Sequence, residues 1–114
     1  MVKRTYIPAR GDIVWLEFDP QIGKEQSGKR PALVLSPTSY NQTTGLAIVC
    51  PITKQVKGYP FEVQTYGKKI AGVVLADHIK SLDWRQRKAQ FVERCSAPML
   101  EEVLAKLEAL LSFQ

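Results

Sequence analysis

The apolar positions of this chain fall into short runs separated by glycine, proline and polar residues, which is the pattern of a small β-rich domain. The first run, Asp12–Phe18, combines Val, Trp, Ile and Phe, side chains that suit a pleated and mostly buried surface. Residues 31–36 form the second predicted strand, with a proline at its first position, where a missing N–H costs least. Leu46–Thr53 is the third, and Pro51 within it indicates an edge strand or a bulge.

The second half of the chain repeats this pattern. Residues 61–65 and 72–76 are predicted to pair as a hairpin, and residues 89–94 are the last predicted strand. Two polar segments connect the earlier strands. Residues 19–29 contain two glycines and a proline and are predicted to be an irregular loop, and residues 38–45 are predicted to be a turn-rich connection.

The periodicity changes at the end of the chain, where a helix is predicted. Ser96 is a good N-cap, Pro98 falls in the first turn, and Glu101 and Glu102 lie near the positive end of the helix dipole. One apolar stripe of an amphipathic helix of about four turns follows: Leu100, Val103, Leu104, Leu107, Leu110 and Leu111. We expect this stripe to pack on the strands rather than to hold a cofactor, so that the helix closes one side of a small curled barrel.

Length and composition limit the class of protein. A chain of 114 residues fits one domain, spanning residues 1–114, and 45% hydrophobic with 24% charged residues favours a folded chain over a disordered one. Two cysteines without a Cys-x-x-Cys spacing and one histidine cannot assemble a zinc site of the usual type, so free thiols are expected. No apolar segment suggests a signal peptide or a membrane span, which predicts a cytoplasmic protein.

The charge is unevenly distributed. The net charge is +5, but the chain before Met99 has a net charge of +7 and the rest a net charge of −2. A basic body favours a polyanionic partner, because lysine and arginine displace the counterions of phosphates. A merely solvated basic surface explains the same charge, so charge alone leaves both interpretations open.

A group of side chains that suits RNA cleavage lies in residues 23–30. Cleavage by the ribose 2′-OH needs a base, a donor to the leaving oxygen and groups that stabilise the charged phosphorane, but no metal. Glu25 offers the carboxylate, and Lys24, Lys29 and Arg30 offer cations beside it. Solvated side chains of a surface loop are the alternative interpretation.

Five further positions allow a chemical or a structural role. Thr53 ends a strand, where its hydroxyl can donate to a phosphate or bond to the local backbone. Asp77 and His78 are an acid–base pair, but adjacent residues of a regular strand point to opposite faces. Tyr59 and Phe61 are expected either to line an RNA groove or to fill the core.

Two basic segments contain the remaining candidates for RNA contact. Lys54 and Lys57 follow the third strand, and Arg85 and Arg87 follow Trp84. Base stacking on the tryptophan with phosphate contacts from the arginines is one interpretation. A buried tryptophan that anchors a turn, with solvated cations around it, is the other.

Three motifs in order, Gly-Asp-x-Val-Trp, Glu-Gln-x-Gly-x-Arg-Pro and Pro-x-Thr, make the chain resemble the MazF/PemK toxin family, and its MazF-type members most closely. The resemblance covers about residues 6–112. It implies an SH3-like small barrel with a C-terminal helix, and a homodimer. It also implies a sequence-specific endoribonuclease that cuts single-stranded RNA without a metal or cofactor, leaving a 2′,3′-cyclic phosphate and a 5′-hydroxyl. The partner it implies is an antitoxin whose C-terminal segment covers the RNA groove.

The family's catalytic positions fall here on Glu25, Arg30 and Thr53, and an aspartate used by PemK-like members falls on Asp77. The resemblance implies that Arg30 and Thr53 stabilise the developing charge and that Glu25 is the base, with the acid role of Arg30 left open. MazF-type members have histidine at the position of Lys29 and glutamine at that of His78. A gyrase-binding, CcdB-like toxin and a nucleic-acid-binding module that does not cut are the alternatives.

Overall fold

The computed structural model describes residues 6–18 and 28–112. In chain order, these residues form β1 (Asp12–Phe18), β2 (Gly28–Val34), α1 (Thr38–Thr44), β3 (Leu46–Thr53), β4 (Glu62–Gln64), β5 (Val73–Leu75), β6 (Lys80–Asp83), β7 (Gln90–Arg94) and α2 (Ala97–Leu111). The strands pair in the order β4-β5-β3-β2-β1-β7, with β6 beside β3. The predicted mostly-β fold with a C-terminal helix is confirmed, and among the described strands the barrel is open rather than closed.

The predicted bounds of β1 and β3 agree with the structure, but the role of the prolines differs. β3 pairs with β2 on one side, and on the other side it pairs first with β6 and then with β5. Pro51 lies at the change of partner, after Val49 has paired with β6 and before Ile52 pairs with β5. The prediction of an edge or a bulge at Pro51 is therefore wrong, because β3 is interior and its register with β2 runs without a shift from Val49 to Pro51.

β2 begins and ends earlier than predicted. It starts at Gly28 because its pairing with β1 extends that far, to the pair Phe18 and Gly28. Pro31 is thus inside the strand and not at its start. It precedes Ala32, the first residue of β2 that pairs with β3. A residue without an N–H is tolerated there for the same reason as at a strand edge.

Residues 38–44 form a helix, where the sequence predicted a turn-rich connection. Asn41 is fully buried. Its side-chain amide donates to the carbonyl oxygens of Pro8 (2.8 Å) and Ser36 (3.0 Å). Its backbone carbonyl accepts from Nε1 of Trp84 (2.9 Å). Gly45 ends the helix with a left-handed φ of 75°. Because these tertiary bonds outweigh the weak helix propensity of Ser, Asn and Thr, the local sequence did not predict α1.

Apolar side chains form two buried clusters, and β1 contributes to both. Ile13 belongs to the cluster that includes α2, whereas Val14 and Leu16 belong to the cluster that includes Trp84. This division follows from the alternation of side chains along a strand. Cys50 is buried in the first cluster and Cys95 packs against it, and both are free thiols as expected.

The C-terminal helix begins as predicted, because the Ser96 side chain accepts from the N–H of Met99. Its apolar stripe is only partly packed. Val103 and Leu107 are buried. Three other leucines of the stripe are exposed: Leu104, Leu110 and Leu111. The expectation that the stripe packs on the strands is therefore confirmed for Leu100, Val103 and Leu107 and wrong for the three exposed leucines. No helix among the described residues is long and apolar enough to cross a membrane.

Candidate functional site

Arg30 in β2 and Thr53 at the end of β3 line the same groove. The two strands pair Val34 with Val49, Leu33 with Cys50 and Ala32 with Pro51. This pairing ends at Ala32 and Pro51, so Arg30 and Thr53 lie just beyond its last pair, on two neighbouring strands. The two residues that the sequence suggested for stabilising negative charge are thus brought together by the sheet.

A groove of about 640 Å³ opens at this end of the two strands. Trp15 and Ile52 are among its apolar lining residues. Four cationic residues line it as well: Lys29, Arg30, Lys54 and Lys69. None of the described lining residues is acidic, so the groove attracts an anion and offers a guanidinium for paired hydrogen bonds to a phosphate. Lys24 and Glu25 lie outside the described residues.

Lys29 is oriented within this groove by a hydrogen bond to a side chain of β7. Its Nζ donates to the side-chain oxygen of Gln90, which is an amide and therefore neutral. The bond orients the ammonium group without neutralising it, and two further protons remain for other acceptors. The lysine is thus well placed to contact a phosphate.

A second, smaller pocket of about 120 Å³ shares Thr53 with the groove. Its other lining residues come from three segments of the chain: Gln55, Lys57, Tyr59, Glu62, Leu75, Asp77 and His78. Nε2 of His78 lies 3.8 Å from Oδ1 of Asp77. Both adjacent side chains line this pocket, unlike neighbours in a regular strand, because the chain turns after β5, where the N–H of His78 donates to the carbonyl of Leu75.

The wall of this pocket is held by backbone hydrogen bonds. The carboxylate of Glu62 accepts from the N–H groups of Lys57 (3.0 Å) and Gly58 (2.9 Å). The hydroxyl oxygen of Thr53 accepts from the N–H of Gln55 at 3.1 Å. This bond fixes the hydroxyl oxygen and confirms that Thr53 bonds to the local backbone. The hydroxyl hydrogen is not used in that bond and is able to donate to another acceptor.

Sequence reasoning missed Glu93, whose carboxylate accepts from the N–H groups of Lys68, Lys69 and Ile70, each at 3.0 Å. Partial burial raises the pKa of Glu93, but these bonds and the nearby Lys69 charge outweigh burial and leave the pKa below its usual value. The sequence does contain an acidic residue in the last strand and a Gly-Lys-Lys turn. These two features lie more than 20 residues apart, and no local pattern indicates that they are in contact.

The remaining candidates lie elsewhere. Trp84 is 3% exposed and donates to a backbone carbonyl, so its ring is not available to stack on a base and the buried interpretation is confirmed. The guanidinium of Arg85 lies over that ring, 4.9 Å from its centre, and Arg87 donates to the carbonyl of Glu17. Phe61 is half-buried, and its carbonyl accepts from the N–H of Ala76.

A family model described as PemK-like, MazF-like toxin of type II toxin-antitoxin system matches residues 9–111. The chain belongs to this toxin family. The toxin is 47% identical over 111 residues to the endoribonuclease toxin MazF of Escherichia coli strain K12, with 97% of this chain and 99% of that protein covered. It is 31% identical over 117 residues to the endoribonuclease PemK of Escherichia coli, with coverages of 98% and 88%.

A solved structure supports the same assignment. The toxin superposes on a chain of a MazE–MazF crystal structure from Deinococcus radiodurans with a TM-score of 0.90 and 52% identity. The match covers 96% of this chain and 100% of that one. The family resemblance that three short motifs predicted is therefore confirmed over nearly the whole length of the toxin.

Proposed function

We propose that this toxin is an endoribonuclease that cuts single-stranded RNA, including mRNA, at specific sequences and without a metal ion. The 2′-OH of one nucleotide attacks the adjacent phosphorus, the bond to the 5′ oxygen breaks, and a 2′,3′-cyclic phosphate and a 5′-hydroxyl remain. The observation that carries the proposal is the presence of Arg30 and Thr53 in one groove whose described lining contains four cationic residues and no carboxylate. The endoribonuclease names of the relatives support it.

In this mechanism the described residues stabilise charge. The guanidinium of Arg30 donates two parallel hydrogen bonds to the phosphorane oxygens, and the hydroxyl of Thr53 donates one. Glu25 removes the 2′ proton, and either Arg30 or water supplies the proton of the leaving oxygen. Four lysines contribute further phosphate contacts: Lys24, Lys29, Lys54 and Lys69. Arg85 and Arg87 remain predictions as RNA contacts outside the groove.

The smaller pocket is proposed as the site of a base next to the cleaved bond. It adjoins Thr53, so a nucleotide whose phosphate lies at Arg30 has its base within reach of this pocket. Tyr59 is 60% exposed and offers a stacking face, and Asp77 and His78 offer hydrogen-bonding edges. Lys57 lies near the Tyr59 ring, 6.0 Å from its centre, and completes the pocket as a cation. Phe61 is proposed to support this wall from its half-buried position.

An antitoxin is the proposed protein partner of this toxin. Its C-terminal segment, acidic and apolar in character, is expected to cover the cationic groove and to compete with RNA for it. Antitoxin–toxin crystal structures of a relative from Deinococcus radiodurans support this partner. The toxin is further proposed to act as a homodimer in the cytoplasm, with residues 1–114 forming one domain.

The alternative of a CcdB-like toxin that binds DNA gyrase is not favoured. Relatives at 47% and 31% identity both bear endoribonuclease names. A gyrase-binding surface also gives no reason for an arginine and a hydroxyl to line one cationic groove.

The test is cleavage of a defined RNA in EDTA with mapping of both new ends. We expect cutting to persist and to leave cyclic phosphate and 5′-hydroxyl ends. Arg30→Ala should slow cleavage about 10²-fold or more, because one charge-stabilising donor is lost. Lys68→Ala is the control, since it removes one surface cation that does not line the groove. Loss of cutting in EDTA, or near wild-type cleavage by folded Arg30→Ala, rejects the mechanism.

A further inference from the structure

One carboxylate anchors a wall of the groove from a distant strand. Glu93 in β7 binds three successive backbone N–H groups of residues 68–70, in the segment that joins β4 to β5. Both of its oxygens take part, Oε1 with residue 68 and Oε2 with residues 69 and 70. Three charge-assisted bonds from consecutive residues fix both the position and the orientation of that segment.

The anchored segment is the part of the connection that borders the groove. Lys69, Ile70 and Ala71 line it together with Arg30 and Thr53, whereas Glu93 itself is not among the lining residues. The position of the Lys69 side chain in the groove therefore depends on where the backbone of residues 68–70 is held. Lys68, whose N–H is bound by the same carboxylate, does not line the groove and has no such role.

We propose that Glu93 is a positioning residue for RNA binding, which ties the backbone of residues 68–70 so that Lys69 meets a substrate phosphate in the Arg30 groove. This inference rests on the proposed function, since it assumes that RNA occupies that groove. Glu93 acts through Lys69 and touches no RNA. The three N–H groups stabilise its negative charge, and their dipoles weaken the field that this carboxylate exerts on the polyanion.

Gly67 offers a second way to disturb the same anchor. A Cβ built at position 67 would lie 2.5 Å from Oε2 of Glu93 and 3.0 Å from its carboxyl carbon. The group in the way is the end of a flexible side chain, so Gly67→Ala displaces the carboxylate without forcing the backbone of the sheet to move. Unlike Glu93→Gln, this substitution leaves the net charge unchanged.

The experiment measures kcat and KM on a short single-stranded RNA for Glu93→Gln and Gly67→Ala. Both variants should raise KM about 5- to 10-fold with kcat within about twofold of wild type, since an outlying phosphate contact is weakened while Arg30 and Thr53 are unchanged. Hydrogen exchange should show faster exchange of the amides of residues 68–70 in both variants, by about tenfold or more. An unchanged KM beside faster amide exchange overturns the proposal, and so does unchanged amide exchange.

A double-mutant cycle with Lys69→Met separates positioning from a general structural role. If Glu93 acts through Lys69, Lys69→Met alone raises KM, and adding Glu93→Gln raises it no further. Lys68→Met is the matched control, with the same charge change one residue away, and its KM should stay within about twofold of wild type. Additive effects of Glu93→Gln and Lys69→Met contradict the proposal.

Failure of this inference is distinguishable from failure of the proposed function. If Arg30→Ala cuts RNA normally, the groove is not the RNA site and the proposed function falls with it. If Arg30→Ala is inactive while Glu93→Gln and Gly67→Ala bind and cut as wild type, only the role of Glu93 is rejected. If Glu93→Gln does not fold, Gly67→Ala alone decides, because moving the carboxylate lowers stability less than replacing it.

Discussion

The backbone of Gly72 lies directly against the backbone of Thr53. A Cβ at position 72 would be 2.2 Å from the carbonyl oxygen of Thr53 and 2.9 Å from its carbonyl carbon, and Gly72 also has a φ of +128°. Only glycine satisfies both conditions. The position of a proposed catalytic hydroxyl at the end of β3 therefore depends on a residue that lies just before β5.

Gly72→Ala is accordingly expected to lower both stability and cleavage. The clash of the added methyl group cannot be relieved by moving a side chain, because the atoms that it meets are backbone atoms of residues 53 and 54. We expect the free energy of unfolding in urea to fall by about 2 kcal/mol or more. Cleavage by the fraction that remains folded should also fall, since Thr53 must shift.

The control for this prediction is Gly58→Ala. Gly58 also has a positive φ, +80°, but nothing lies within 4 Å of the position of its Cβ. Its substitution should cost only the strain of a left-handed residue, about 1 kcal/mol. Equal losses of stability for the two alanine variants would show that the close approach of Gly72 to Thr53 does not affect the free energy of unfolding.

Asn41 is expected to be a main determinant of stability although it belongs to a seven-residue helix. Its side chain joins Pro8 and Ser36, and its alanine variant leaves buried polar partners without bonds. We expect Asn41→Ala to lower the free energy of unfolding by about 2–4 kcal/mol at fixed protein concentration. Gln42→Ala, at the next and exposed position of α1, should change it by less than about 0.5 kcal/mol. Similar values for the two variants would contradict this role of Asn41.

Tyr6 provides a prediction at high pH. Burial raises the pKa of its phenol well above the usual range, and the hydrogen bond to Asp12 and the charge of Asp12 raise it further. Because the folded-state pKa is above the unfolded value of about 10, this contribution to stability is complete below that pH and is lost as the pH rises towards the folded-state pKa. Tyrosinate absorbance at 295 nm should contain a late step that Tyr6→Phe removes. If the step that Tyr6→Phe removes lies at about pH 10, the usual pKa of tyrosine, the raised pKa of Tyr6 is refuted.

The sequence predicted the elements whose signal is local. β1 and β3 agree with their predicted bounds, because a dense run of β-branched and aromatic residues needs no distant information. α1 was missed because its stability comes from Asn41 bonds to residues far along the chain. The candidate site divides in the same way. Arg30 and Thr53 were predicted from residue type together with the family resemblance, and their roles remain proposals. Glu93 bonds to residues 23 to 25 positions away, and a sequence pattern does not show such a bond.

His78 is expected to affect which RNA sequence is cut more than how fast it is cut. Its side chain is 55% exposed and lines the small pocket beside Thr53, so its replacement alters a hydrogen-bonding edge without disturbing the core. A site that loses one such edge discriminates less between bases, by about 10-fold or more for a well-oriented bond. We expect His78→Ala to redistribute cleavage among the sites of a mixed RNA pool, read by mapping the 5′ ends, while its fold stays intact. Ile79→Ala, exposed and next in the chain but not in the pocket lining, is the control. If both variants cut the same sites in the same proportions as the wild type, the pocket does not select the base, and sequence specificity must arise elsewhere along the groove.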